Sequence, residues 1–221
     1  MNRSQVIETI EDTGVIAIMR HISGEALKPT VEALWKGGIR CIEVTANTEG
    51  ALSMVSHLAE EYGDRMIIGA GTILDARTAR EYIRAGACFL LSPSLHREVI
   101  DAAREKDIVS IPGAYTPTEI INGYSWGGDI IKLFPACIGG ADYIRQIRGP
   151  FPQIPILAVG GVNLENTASF IQAGCMGVGI GSNLVNPNVI KNKDFQGMER
   201  TARAFVCRVK EGKRKDGMDR P

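Results

Sequence analysis

Apolar residues along this chain gather in short unbroken runs, and a local theme introduces several of them: an amphipathic stretch, then a glycine pair or Ala-Gly, then the run. It recurs as WKGGIRCIEVT, IRAGACFLLSP, SWGGDIIKLFP and IQAGCMGVGIG. Each copy predicts a helix stopped by glycine at its C-terminal cap and followed within a few residues by a buried strand. Filling the gaps between copies predicts eight strands, at residues 15–19 (VIAIM), 41–45 (CIEVT), 66–71 (MIIGAG), 89–93 (FLLSP), 109–113 (VSIPG), 130–134 (IIKLF), 156–160 (ILAVG) and 177–181 (GVGIG).

Between them lie helical patterns such as GEALKPTVEALWKG, DARTAREYIRAG and SLHREVIDAAREK, several with acids early and bases late. Pro29, inside the first, either kinks that helix or marks its true start. Strands alternating with helices imply parallel pairing, and unbroken apolar strands imply a sheet covered on both faces. Units spaced by about 25 residues predict an α/β fold of the (β/α)8 barrel type, with an N-terminal helix closing the bottom. A doubly wound open sheet is the alternative, but no GxGxxG opens the first unit. Residues 1–208 are expected to form a single barrel domain, and the charged tail 209–221 to be disordered.

Composition narrows the partners. The 25 Lys and Arg residues balance 25 Asp and Glu, leaving no basic field for nucleic acid or anionic lipid. The polar start MNRSQVIETIEDTG is no signal peptide, and no apolar run approaches the roughly 18 residues of a membrane span. The expectation is a cytoplasmic protein acting on a small molecule. Five cysteines without a CxxC pair read as reduced, with Cys41, Cys88 and Cys175 as buried fillers. His21, His57 and His96 lack metal-ligand spacing, so no metal site is expected.

Barrel chemistry sits at the C-terminal strand ends and the loops beyond them. Lys132 interrupts the apolar run IIKLF, where desolvation favours the neutral amine, a carbonyl nucleophile; the alternative is a structural salt bridge with Glu43. In CIEVT, alternation puts Glu43 and Thr45 on one face, so the carboxylate can relay protons beside the lysine. Arg20, Asn47, Gly71-Thr72, Ser92-Pro93 and Pro112-Gly113 complete the earlier ends. AVGGV and GIGSNLV place Gly160, Gly161, Gly181 and Ser182 in the last two loops, where backbone amides can hold a phosphate.

With these residues placed, the chain resembles the 2-keto-3-deoxy-6-phosphogluconate (KDPG) aldolase family, whose members often also cleave 4-hydroxy-2-oxoglutarate (KHG). The segments that carry the resemblance are GVIAIMR, GGIRCIEVT, IIGAGTI, AGACFLLSP, SIPGAYTPTE, IIKLFPA, IRGPFPQIPILAVGGV and GVGIGS. It implies a metal-free class I aldolase without a cofactor, cleaving KDPG to pyruvate and glyceraldehyde 3-phosphate, and a homotrimer. It also implies that Lys132 forms the Schiff base, that Glu43 is the general acid/base, and that Thr72 lies near the pyruvate carboxylate. Pro93 and Phe134 would line the pocket, and Gly160, Gly161, Gly181 and Ser182 would hold the phosphate.

The sequence departs from the family pattern twice. Asn47 stands where many members have an arginine, so the substrate carboxylate needs another donor, for which Arg20 is the candidate. Val159 stands where gluconate-type members usually have threonine, and both departures look similar to the branch acting on the galactonate epimer. An aldolase for non-phosphorylated substrates such as KHG, and a non-catalytic barrel that binds a phosphorylated metabolite, are the competing readings.

Overall fold

The computed structural model describes residues 1–216. Its strands are β1 (Val15–Met19), β2 (Cys41–Thr45), β3 (Ile67–Gly71), β4 (Phe89–Leu91), β5 (Val109–Ile111), β6 (Gly113–Ala114), β7 (Ile131–Leu133), β8 (Ile156–Val159) and β9 (Gly177–Ile180). All the strand pairs are parallel, in the order β5-β4-β3-β2-β1-β9-β8-β7-β6. β5 and β6 are halves of one expected strand, separated by Pro112, which has no N–H to give to a ladder. The Pro112 carbonyl still accepts from the Lys132 N–H at 2.9 Å. Joining the halves closes the ring into the expected eight-stranded barrel, not the open sheet.

The helices are α1 (Arg3–Thr13), α2 (Gly24–Lys36), α3 (Ala51–Tyr62), α4 (Ala76–Arg84), α5 (Arg97–Arg104), α6 (Pro117–Ser125), α7 (Ala136–Arg148), α8 (Thr167–Gln172), α9 (Pro187–Lys191) and α10 (Phe195–Asp216). Local signals start several of them. Asn2 with Gln5, and Thr116 with Glu119, form capping boxes for α1 and α6, and Asp75 caps α4. Pro29 lies inside α2, which begins behind Ser23.

Alternation along the strands separates two cores. Outward residues such as Ala17, Ile42 and Ile131 pack under the helices. Inward residues such as Ile16, Ile67, Phe89 and Leu157 fill the barrel, and Val6 and Ile10 of α1 join them, so α1 closes the bottom. Arg3 ties that helix to Asp129, whose second oxygen accepts the Ser110 N–H at 2.9 Å.

The expected disordered tail is corrected. α10 continues to Asp216 because Val209 is buried and Gly212 fits tightly against Ile171, so an apolar seam outlasts the last apolar run. Lys213 also donates to the carbonyls of Glu11 and Asp12 at the end of α1. Residues 217–221 of that tail lie outside the described residues. All five cysteines are free; Cys41 and Cys175 are buried, with burial pushing both thiols up to about 12, whereas Cys88 is half-buried and Cys137 and Cys207 are exposed.

Candidate active site

β2 and β7 are the second and sixth strands of the eight-membered ring, so they stand opposite each other and their inward side chains converge on the barrel axis. Glu43 is 1% exposed and Lys132 5%. Among the described residues no hydrogen bond or ion pair joins them, and Glu43 Oε2 has no partner. The expected alternative of a structural salt bridge is therefore absent. Glu43 reaches the mouth across the bare backbone of β3: a Cβ on Gly71 would lie 1.5 Å from Glu43 Oε1. The Lys132 ammonium nitrogen is 4.9 Å from the centre of the Phe134 ring.

Isolated charge in such a place is costly, so each group is driven toward its neutral form. Burial raises the Glu43 carboxyl above its ordinary range, while the charges of Lys132 and Arg20 oppose that shift. Burial lowers Lys132; Glu43 opposes and Arg20 adds to the lowering. The pair thus offers an amine able to attack a carbonyl and a carboxyl able to exchange a proton.

Beyond the Phe134 ring opens a cavity of about 360 Å³, lined by Ile18, Arg20, His21, Phe134, Val159, Gly160, Gly161, Gly181, Ser182 and Asn183, among others, but by neither Lys132 nor Glu43. It spans the ends of β1, β9, β8 and β7. Gly160 and Gly161 have φ of 92° and 71°, which exclude ordinary side chains, and a Cβ on Gly161 would lie 2.4 Å from Cys137 Cβ. The β9 loop forms one tight turn, with Gly181 O accepting from Leu184 and Val185 N–H at 2.9 and 2.8 Å. Among the described residues the backbone amides of Gly161, Ser182 and Asn183 make no internal hydrogen bond, which leaves donors for an anion.

The other expected residues ring the mouth without lining this cavity. Thr72 is half-buried at φ 60°, a conformation that a β-branched residue holds only under constraint. Pro93 is half-buried at the end of the fourth strand, and Asn47 is exposed in the turn after β2. Thr45 is fully buried and its hydroxyl is engaged by Thr48 at 3.0 Å and Met19 O at 3.5 Å. Sequence reasoning missed His21, Asn183 and Ile18 in the cavity wall. Ile18 was recoverable from alternation along VIAIM; His21 and Asn183 simply follow residues already singled out.

The family model described as KDPG and KHG aldolase matches residues 6–201. A 2-dehydro-3-deoxy-6-phosphogalactonate aldolase of Escherichia coli strain K12 is 33% identical over 197 residues, 89% of this chain and 93% of that one. The KHG/KDPG aldolase of the same strain is 34% identical over 204 residues, 90% of this chain and 94% of that one. Among solved structures, a KDPG aldolase from Legionella pneumophila, with pyruvate captured at low pH as a covalent carbinolamine intermediate, superposes with a TM-score of 0.84 at 31% identity, covering 90% of this chain and 97% of that one. A barrel that buries an unpaired lysine and glutamate and carries a glycine-walled cavity, matched along most of its length by these sequences, belongs to the KDPG and KHG aldolase family.

Proposed function

We infer that Lys132 and Glu43 carry out class I cleavage of a 2-keto-3-deoxy-6-phospho sugar acid, releasing pyruvate and glyceraldehyde 3-phosphate, with KHG as a second substrate cleaved to pyruvate and glyoxylate. The observation that carries this reading is the burial of both groups without an ion pair between them. The neutral Lys132 amine adds to the C2 ketone, and loss of water gives an iminium. That cation accepts the electron pair of the C3–C4 bond while Glu43 takes the C4 hydroxyl proton. The aldehyde leaves, the enamine is protonated at C3, and water returns the free amine and pyruvate.

Arg20 supplies the cation for the substrate carboxylate in place of an arginine at position 47, with Thr72 and Pro93 at the ends of the third and fourth strands and Phe134 against the chain of the substrate. The free amides of Gly161 and Ser182, with Gly160 and Gly181 keeping the approach open, take the phosphate. The resemblance further implies a homotrimer, and the polar N-terminal stretch supports a cytoplasmic location. Among the described residues no helix is long and apolar enough to cross a membrane.

Borohydride added with pyruvate tests the reading: one reduced adduct per chain is expected, on the peptide containing Lys132. An unmodified protein, or an adduct elsewhere, overturns it in favour of a barrel that only binds phosphometabolites. Val159 and Asn47 favour a second reading within the same chemistry, in which the galactonate epimer is also a good substrate.

A further inference from the structure

Arg20 is exposed and finds no ion-pair partner among the described residues, yet its charge is felt by both Glu43 and Lys132. A long, free side chain does not hold such a place unless its backbone is fixed. The backbone on either side of Arg20 is held by two buried hydroxyls from the end of the neighbouring strand. Thr45 Oγ1 donates to Met19 O across a long 3.5 Å, the Thr45 and Thr48 hydroxyls share a 3.0 Å hydrogen bond that either can donate, and the His21 N–H donates to Thr48 Oγ1 at 3.0 Å. With the Thr45 proton given to Met19 O, the bond between the hydroxyls takes its proton from Thr48, and the relay is internally complete. Both threonines are closed off from solvent, Thr45 at 0% and Thr48 at 4% exposure. His21, at the far end, sits at φ 53°, a left-handed conformation that persists only where surrounding bonds impose it.

We propose that Thr48 and Thr45 are positioning residues that grip the backbone before and after Arg20 and thereby aim its guanidinium at the substrate carboxylate. This rests on the aldolase reading of the site. It gives Thr45, whose enclosed hydroxyl is already committed to the protein, the role of supporting the residue that makes contact. The need for such support follows from Asn47: with no second cation on the β2 loop, recognition of the carboxylate depends on how well Arg20 is placed.

Thr48→Val keeps the side-chain volume and removes the hydroxyl. With KHG as substrate, KM is expected to rise about tenfold, the scale of one hydrogen bond, while kcat stays within about twofold. Thr48→Ser restores KM. Arg20→Met raises KM further, and the double variant Arg20→Met/Thr48→Val is no worse than Arg20→Met alone, because Thr48 acts only through Arg20. Thr45→Val breaks the relay at its other end and carries the same expectation, so the outcome does not depend on one variant folding. Losses that add in the double variants, or a kcat loss that tracks the melting temperature with KM unchanged, overturn the proposal. Wild type incubated with pyruvate and borohydride serves as the control: no adduct means that the aldolase reading has failed, and an adduct with additive losses means that only this inference has.

Discussion

At Val159 the cavity wall is a branched hydrocarbon with no proton to donate. The residue leans over ground that Gly179 leaves vacant, since a Cβ on that glycine would lie 2.8 Å from Val159 Cγ2. A substrate hydroxyl passing here gains no hydrogen bond in either C4 configuration. One such bond is worth about 0.5 to 1.5 kcal/mol, so the two epimeric keto acids are expected to be cleaved with efficiencies within roughly tenfold of each other. Val159→Thr is expected to shift the ratio toward the gluconate epimer by a similar factor. Paired assays on both substrates decide this; a wild-type preference of about a hundredfold for the gluconate epimer, with equal losses on both after substitution, refutes it. Lys132 and Glu43 could be found from the sequence because each is a lone charge in an apolar run, for which a salt bridge was the bland explanation. Thr48 could not: a threonine in a polar loop is unremarkable, and its partner His21 lies 27 residues away.

At the scale of elements, glycine stops and apolar runs located every strand, and the expected ends were too long by one or two residues where the chain leaves its ladder to build the site. Ser92 and Pro93 follow β4 rather than extend it, as Phe134 follows β7 and Gly160 follows β8. The break at Pro112 was visible in the sequence as a proline, but its neighbours are shared unequally, β4 pairing with one half and β7 with the other. α10 was cut short in the sequence reading because Lys and Arg dominate its last turns, while the tertiary contacts of Val209 and Gly212 decide its length. α1 is the element whose role separates stability from chemistry. Its Ile10 is fully buried at the bottom of the barrel, at the opposite end from the glycine-walled cavity. Ile10→Ala is expected to cost about 2 to 5 kcal/mol, read as a lower denaturation midpoint, with kcat at 25 °C essentially unchanged. A fall in kcat in the folded variant would show that the plug is coupled to the site.

For the whole molecule, holding Lys132 and Glu43 buried and unpaired is a standing cost. The folded state raises the Glu43 carboxyl, so its contribution is fully present below the unfolded value of about 4.3 and is lost as pH rises through the folded one. It lowers the Lys132 amine, whose contribution is fully present above about 10.4 and is lost as pH falls through the folded value. Between those two limits neither contribution is complete. The inactive double variant Glu43→Gln/Lys132→Met is accordingly expected to be more stable than wild type at pH 7, by about 1 to 4 kcal/mol, with the gain shrinking toward both extremes of pH. Denaturant titrations across pH test it, and a double variant less stable than wild type at pH 7 would contradict the account.

The reach of Glu43 into the mouth is set by something that β3 lacks. The carboxylate occupies the volume in which a side chain on Gly71 would have begun, just as the Phe89 ring fills the place above Gly69. Such glycines are moulds, shaped by the group that a neighbouring strand lays over them. Any residue larger than glycine at position 71 would have to be answered by a shorter acid at position 43, which would withdraw the proton carrier from the axis. A side chain at position 71 is thus excluded for as long as position 43 keeps its glutamate.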